Sequence, residues 1–416
     1  MPGALRPVNV LVASSKFPPE YAGSALRAHA TYRRLAASGA VDYEVLTSSV
    51  THNERLSYVH EGSRVTRIAR KVSGLHQGDP GEDRPVSRAR YLFNVAASRA
   101  DYLLEATAVW RWLAPRSAGF DVFHVFGNNH VTAAALTWAK LKDKPCLVEL
   151  VNLADDPRQY EPWLVSRLLG PGFPRRSLMV CISPLLADMC RRHGIPEERI
   201  WCRPNPVDEA RHRFDPAGRE ALREKAWPGM APGDALLVYV AKFRKLKNQR
   251  FLLDVLARLP ERFRLLLAGP LVDSGPLAER QQAYFREIGR DAAAMGLSHR
   301  VSLRPGFVEH PEDLYRAADA YLMPSTYEAL GTPVLESLAC GTPCVTNSIP
   351  GVFDRWVQDG VNGFVRPLDP EAWARAVRDC LEFTPEARER ASRDILAQAG
   401  TLVIDAQYVE RLRAMA

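Results

Sequence analysis

Short apolar runs recur along the chain, and between them apolar positions return every three or four residues. VNVLVAS (8–14) is mostly β-branched and reads as a buried strand. A Pro/Gly-rich loop, KFPPEYAGS, follows it, then the helical pattern ALRAHATYRRLAASG closed by Gly39, then the strand YEVLTSS (43–49). This strand, loop, helix, strand order is the opening unit of a doubly wound parallel sheet. It repeats in DVFHVFG (121–127), a helix with VTAAALTWAKL, CLVELVN (146–152), SLMVCIS (177–183), a helix with LLADMCRRHG, and RIWCRP (199–204).

The pattern breaks over 206–234, a polar stretch with Pro and Gly that predicts an interdomain linker with a short helix inside. A second series then begins with the strand ALLVYVAKF (235–243) and the helix FLLDVLARL. It continues through RFRLLLAG (262–269), AYFREIGRDAAAMG, RVSLRPGF (300–307), PEDLYRAA, AYLMPS (320–325) and WARAVRDCLEF. The expectation is an α/β protein of two Rossmann-like, doubly wound domains, 1–205 and 235–385, facing each other across a cleft. A final helix over about 386–416 is expected to return to the first domain. Ligands of such sheets sit beyond the carboxyl ends of the strands, so the loops there are the places to look for chemistry.

Composition narrows the classes. The chain has 416 residues, long enough for two cores. It lacks an apolar run of the roughly 18 residues a spanning helix needs, and MPGALRPVNVLVASS lacks the regions of a secretory signal, so a cytoplasmic location is expected. Seven scattered cysteines without a Cys-x-x-Cys pair predict reduced, mostly buried thiols, and ten histidines without His-x-x-x-His give no metal motif. Residues 1–205 hold 27 Lys/Arg against 19 Asp/Glu, whereas 206–416 hold 28 against 29, so only the first half is built to meet anions. Nucleic acid would satisfy that charge but has no motif behind it, and FPPEYAGS does not supply the Gly-x-Gly-x-x-Gly turn of a dinucleotide-dependent oxidoreductase.

The segment YEALGTPVLESLACGTPCV (327–345) concentrates candidate chemistry. Thr332 as N-cap and Pro333 at the first helical position predict a helix start, and Gly331 lets the backbone approach a ligand. Free amides and the positive dipole end would then bind a phosphate, with Glu328 and Glu336 on either side to accept hydrogen bonds from hydroxyls. Such a set suits a sugar nucleotide. In isolation, the same glutamates would serve to complement a helix dipole and to solvate a loop.

EALGTPVLE, the following ACGTPCVTNSIPGVFDRWVQDGVNGFVRPLD and the preceding ADAYLMPST together resemble the donor-binding core of retaining GT-B glycosyltransferases of family 4 (glycosyl transferases group 1). FPPEYAGSALRAH, SPLLADMCRRHGIPEERIWCRPNPVD, VAKFRKLKNQRFLL and LLLAGP are similar to further blocks of that family. The resemblance implies that Glu336 holds the ribose hydroxyls, Glu328 faces the transferred sugar, and Gly331 and Thr332 give amides to the diphosphate. Lys242 and Lys247 would neutralise the leaving group. Lys242 stands where relatives carry arginine and cannot form its bidentate fork, and Ala329-Leu330 replaces the usual Gly-Phe. Gly306, Phe307 and Val308 resemble the segment that meets the nucleobase, although Phe307 equally suits a core. Gly23 stands where relatives place a glycine near the donor phosphates.

DVFHVFGNNH resembles the family's strand end with a histidine facing the sugar. His124 is the catalytic candidate there, with a core role at least as well supported, and Asn128, Asn129 and His130 are acceptor-binding candidates. Asn152, Asp155 and Asp156 in ELVNLADDP occupy a comparable loop; no Asp-x-Asp follows a strand, so no metal is expected. No cofactor is expected beyond the nucleotide sugar as co-substrate. The stretch 84–116 mixes arginines with Tyr91, Phe93, Trp110 and Trp112, which suits either docking on the anionic inner face of a membrane or packing on its own domain. The resemblance implies metal-independent transfer of a sugar, with retention, to a hydroxyl of a glycan, lipid-linked or small-molecule acceptor, in the biosynthesis of a cell-surface glycan, glycolipid or other glycoconjugate. The alternative is a catalytically silent GT-B protein that binds a sugar nucleotide or a glycan.

Overall fold

A computed structural model describes residues 6–19, 23–49, 55–69, 88–150, 173–271 and 278–416, the side chains of 23–25, 88–92 and 94 aside. The chain divides into two compact units: Met1–Pro204 with Asp405–Ala416, and Asn205–Ile404.

The first unit runs β1 (Val8–Ser14), α1 (Gly23–Ala37), β2 (Val41–Thr47), β3 (Arg55–His60), β4 (Ser63–Ile68), α2 (Arg88–Leu113), β5 (Val122–Phe126) and α3 (His130–Leu141). It continues with β6 (Cys146–Leu150), β7 (Ser177–Cys181), α4 (Pro184–Arg192) and β8 (Ile200–Cys202). Its sheet has the order β3-β4-β2-β1-β5-β6-β7-β8, parallel except for β3, which pairs antiparallel with β4. β5, β6 and β7 are almost wholly buried, the mark of strands covered on both faces. The β3–β4 hairpin is absent from the sequence reading because the edge strand RLSYVH has no apolar run. Its turn is Glu61-Gly62, both at positive φ (43° and 83°), as a two-residue hairpin turn requires.

The second unit contains α5 (Arg219–Ala226), β9 (Ala235–Val240), α6 (Phe251–Leu256), β10 (Phe263–Gly269), α7 (Ala278–Ala294), β11 (Val301–Pro305), α8 (Pro311–Ala317) and β12 (Ala320–Met323). After these come α9 (Thr332–Ala339), β13 (Cys344–Asn347), β14 (Gly363–Arg366), α10 (Pro370–Cys380) and α11 (Pro385–Ala399). The parallel sheet has the order β11-β10-β9-β12-β13-β14. A last helix, α12 (Thr401–Met415), starts in this unit and belongs to the first from Asp405 onward.

Two boundaries differ from the sequence reading. Residues 206–234 are not a linker. Ala226 of α5 joins a buried cluster with Leu236, Val238 and Leu266, and Arg223 pairs with Asp319 at 2.8 Å while donating to the Asp234 carbonyl at 2.6 Å. Polar composition hid this because the helix is anchored through guanidinium groups. The helix over 386–416 is two helices broken at Gly400, where a Cβ would stand 2.6 Å from the Leu396 carbonyl oxygen. α11 stays with the second unit, its Ser392 hydroxyl donating to the Ala339 carbonyl. The last helix belongs to the first unit from Asp405 onward, held there by Asp405 on Arg34 (2.6 Å) and by the buried Tyr408.

Within 84–116, the latter half of α2 packs on its own unit. Ala106, Val109, Trp112 and Leu113 are buried, and Trp110 Nε1 donates to the Ala134 carbonyl at 3.0 Å. Phe93, Leu103 and Leu104 remain exposed on the same helix.

Candidate functional site

In the second sheet the winding direction reverses between β9 and β12, because β9 pairs β10 on one side and β12 on the other. The loops leaving the carboxyl ends of these two strands border the crevice where such sheets bind ligands. Here they are stitched together. Thr326 N–H donates to the Leu246 carbonyl at 2.9 Å, Asn248 Nδ2 to that of Pro324 at 3.3 Å, and Asn347 Nδ2 to that of Ser325 at 3.0 Å. Within this frame Lys247 Nζ pairs with Glu328 Oε1, both side chains partly shielded from solvent. Lys242 precedes them on the loop leaving β9, its carbonyl accepting from Gln249 Nε2 at 2.8 Å.

The helix start lies one residue earlier than expected. Gly331, not Thr332, is the N-cap of α9, at φ 73° and ψ 52°, with no side chain capping the amides. Thr332 and Pro333 are the first two helical residues. Pro333 has no N–H and the Val334 N–H turns back to the Gly331 carbonyl at 2.9 Å, so the amides of Gly331 and Thr332 are what this end offers, with its positive potential, to an anion. Gly331 is dictated twice: its φ is left-handed, and a Cβ would stand 2.4 Å from Phe353 Cε1. Thr332 Oγ1 accepts from Asn205 Nδ2 at 2.8 Å, and Asn205 is buried. Glu336 lies at the start of the second helical turn and accepts from the Tyr315 hydroxyl at 3.2 Å. Burial, reinforced by the Glu336 carboxylate, holds the Tyr315 phenol well above its usual range, so it remains a donor. Tyr239 is raised likewise by burial and then by Glu328.

Gly306, Phe307 and Val308 follow β11. Phe307 is 66% exposed, so the core reading of this residue fails, whereas Val308 packs against the α5 cluster. Gly306 N–H donates to the Gly269 carbonyl at 2.9 Å. Gly269 itself was not singled out in the sequence: a Cβ there would meet the Ala241 carbonyl oxygen at 2.1 Å, so this glycine lets the loop carrying Lys242 pass across the end of β10. Asn205 and Tyr315 were likewise missed. Their partners lie 127 and 21 residues away, and no local spacing signals them.

The first sheet reverses between β1 and β5. Ser15 N–H donates to the Phe126 carbonyl at 2.9 Å, and Asn129 Nδ2 to that of Ser15 at 2.9 Å. Asn129 Oδ1 also caps α3, accepting from Thr132 N–H at 3.0 Å, so its side chain is committed to the fold. Asn128 is half-buried and makes no side-chain hydrogen bond among the described residues. His130 opens α3, with Nδ1 3.3 Å from Glu105 Oε2. Gly23 is the first residue of α1. Asn152, Asp155 and Asp156 lie outside the described residues.

His124 is a correction. Its side chain is fully buried, Nδ1 is hydrogen-bonded to the Tyr32 hydroxyl at 2.7 Å, and Nε2 stands 3.3 Å from Glu149 Oε2. That oxygen also pairs with Arg203 at 2.6 Å and accepts from the Tyr408 hydroxyl at 2.7 Å. Burial lowers the His124 pKa, so the imidazole is neutral, a structural member of a core network with no access to a ligand.

Two family models match the chain: the glycosyl transferase 4-like domain over residues 22–206 and the glycosyl transferases group 1 model over 234–382. Together they take in most of the sequence, and the chain belongs to the group 1 glycosyltransferases, with the GT-B fold. Among curated relatives, the D-inositol 3-phosphate glycosyltransferase of Mycolicibacterium smegmatis is 35% identical over 205 residues, 49% of this chain and 45% of that protein. The putative glycosyltransferase EpsF of Bacillus subtilis is 37% identical over 155 residues, 36% of this chain and 37% of that protein. The chain thus matches less than half the length of each. Among solved structures, the sucrose-phosphate synthase of Thermosynechococcus elongatus superposes with a TM-score of 0.70 at 18% identity, covering 99% of both chains. Anabaena HepE in complex with UDP and glucose gives 0.68 at 17% identity, covering 98% of this chain and 100% of that one.

Proposed function

We propose that this protein is a retaining glycosyltransferase that moves a sugar from a nucleotide-diphosphate sugar to a hydroxyl acceptor. The observation that carries the reading is the placement of Lys247–Glu328, the uncapped amides of α9 and Glu336 around one sheet reversal. In this reading the diphosphate lies on the Gly331 and Thr332 amides, and Lys242 and Lys247 stabilise its charge as the glycosidic bond breaks, the electrostatic work that dominates transfer to a weak nucleophile. The two lysines supply the cations, so the step needs no metal. Glu336 accepts from the ribose hydroxyls, held in place by Tyr315. Glu328 serves the transferred sugar and, by pairing with Lys247, keeps the lysine aimed at the leaving group. Phe307 and its backbone neighbours meet the base.

HepE was solved with UDP and glucose, which supports a uridine donor here as the first to try. A lipid-linked acceptor in glycan or glycolipid assembly, reached at the inner face of a membrane, fits Phe93, Leu103 and Leu104 exposed on α2 beside arginines. The test is thermal stability against nucleoside diphosphates and their sugars, with and without EDTA, for the wild type and Glu336→Gln. A saturating ligand at 100 times its dissociation constant adds about 2.7 kcal/mol. A base-selective increment, equal with and without EDTA and reduced in the variant, is expected. A folded protein that no nucleotide stabilises, or that binds one and transfers nothing, would move the silent binding protein to first place.

A further inference from the structure

Three potential ligands converge on the outer edge of the first unit, where neither the family assignment nor the donor site calls for any. His29 comes from α1, His60 ends β3, and Glu61 is the first residue of the β3–β4 turn. A nitrogen of each ring and a carboxylate oxygen lie within 4.8 Å of one another. The imidazole centroids are 5.1 Å apart. Two nitrogens bound at about 2.0–2.1 Å to a tetrahedral zinc are themselves roughly 3.3 Å apart, so the set lies within about 1.5 Å of coordination spacing.

A second observation points to a ligand. His29 is 6% exposed, and its Nε2 is buried with no hydrogen-bond partner among the described residues. A buried ring nitrogen left unsatisfied is costly, and one way to relieve it is a metal. Arg33 engages Glu61 Oε2 from the next turn of α1, which orients the carboxylate and leaves its other oxygen to a ligand.

We propose that His29, His60 and Glu61 bind a divalent transition-metal ion, with Zn²⁺ the best match to two imidazoles and one carboxylate. Mg²⁺ prefers an all-oxygen octahedron and is excluded by this donor set. The ion ties the exposed edge hairpin to α1. The same elements hold the segment that leaves β1: Phe17 packs edge-on against His29 at 5.3 Å, and the Tyr58 hydroxyl donates to the Pro18 carbonyl at 2.9 Å. Zinc would therefore stiffen the start of the loop leading to Gly23. The three ligands share no residue with the donor site, so this metal is structural and is not a participant in transfer.

The full-length, tag-free protein, stripped with EDTA and dialysed free of it, is titrated with ZnCl₂ against a chromogenic chelator and, separately, with MgCl₂. CoCl₂ reports coordination through its visible absorption. His60→Ala removes a half-exposed ligand, and Glu61→Gln keeps shape and turn; melting curves without metal check that each folds. One zinc per chain is expected, with affinity lowered on the order of tenfold or more in both variants, the cobalt band lost with it, and no saturable Mg²⁺ binding. Substoichiometric zinc, wild-type affinity in the folded Glu61→Gln and His60→Ala proteins, or Mg²⁺ bound as tightly as Zn²⁺ would overturn the proposal. Should His60→Ala fail to fold, Glu61→Gln alone decides.

Discussion

Lys247 and Glu328, 81 residues apart in sequence, form an ion pair between the loops that leave β9 and β12. The side chains are 24% and 11% exposed, so removing one partner costs more than the ~1 kcal/mol of a surface pair and less than the ~3–5 kcal/mol of a fully buried one. Lys247→Ala is therefore expected to melt below the wild type but to remain cooperatively folded. If the lysine stabilises the departing diphosphate, the same variant loses about 10²- to 10³-fold in kcat. A rate within threefold of wild type in steady-state transfer assays would remove Lys247 from the chemistry.

Glu336 is half-buried and accepts from Tyr315 through Oε2. Removing the charge from a carboxylate that binds hydroxyls costs about 1.5–3 kcal/mol, or roughly ten- to a hundredfold in nucleotide affinity. Tyr315→Phe only loosens the carboxylate and should cost less. Calorimetric titration with the nucleoside diphosphate compares the two, and a larger loss in Tyr315→Phe would contradict the assigned roles.

Three glycines of the second unit separate strain from crowding. Gly306 has φ 135° but open space around it, so Gly306→Ala bears only a backbone cost of about 1–3 kcal/mol. Gly269→Ala and Gly331→Ala add overlap with the Ala241 carbonyl and the Phe353 ring, at 2.1 and 2.4 Å. Urea melts should rank Gly306→Ala as the mildest of the three, with Gly269→Ala the worst because its obstacle is backbone.

The buried network of the first unit sets an acid limit. Burial acts to raise the Glu149 pKa, but Arg203, followed by His124 and Tyr408, outweighs it and lowers the value to about 2. A carboxylate depressed in the folded state contributes fully above its unfolded value of 4.5, and the contribution fades as pH falls toward 2, on the order of 3 kcal/mol in all. His124 acts at higher pH in the same direction: its folded pKa is below 6.5, so the unfolded chain takes up the proton first and stability declines as pH drops below that point. Denaturant melts from pH 7 to pH 3 should show this two-stage decline. A stability that rises over the same range would contradict it.

Glu149→Gln leaves Arg203 a buried cation without its counter-ion and should cost about 3–5 kcal/mol. Since Arg203 and Glu149 also hold Tyr408, the variant should release the end of α12, seen as faster amide exchange over 405–416. Unchanged exchange there would mean that the Arg34–Asp405 pair, the Arg176 bond to the Met415 carbonyl and the burial of Leu412 hold the helix without the network.

The donor side was legible where its residues fall within one short segment. Glu328, Gly331 and Glu336 sit within nine residues of each other, in a loop, turn and helix whose punctuation by Gly and Pro can be read directly. His124 misled for a physical reason: a histidine in a fully buried strand resembles one at a strand end unless its partners are known, and those partners, Tyr32, Glu149 and Tyr408, come from three other elements. The linker failed similarly. Polar residues usually mark solvent, but Arg219 and Arg223 are spent on Asp319 and on carbonyls of α8 and its C-cap.

The sequence by itself determined the alternation of strands and helices, the two parallel sheets, and the glycines and carboxylates after β12, because periodicity and turn chemistry are local properties of the chain. Tertiary structure decided what depends on distant residues meeting. It joined Lys247 to Glu328 and Asn205 to Thr332, closed the core of the first unit with Tyr408, and brought His29 to His60 and Glu61. A parallel sheet orders its strands by crossover connections, so residues far apart in the chain become neighbours at strand ends, and one-dimensional spacing carries no record of that.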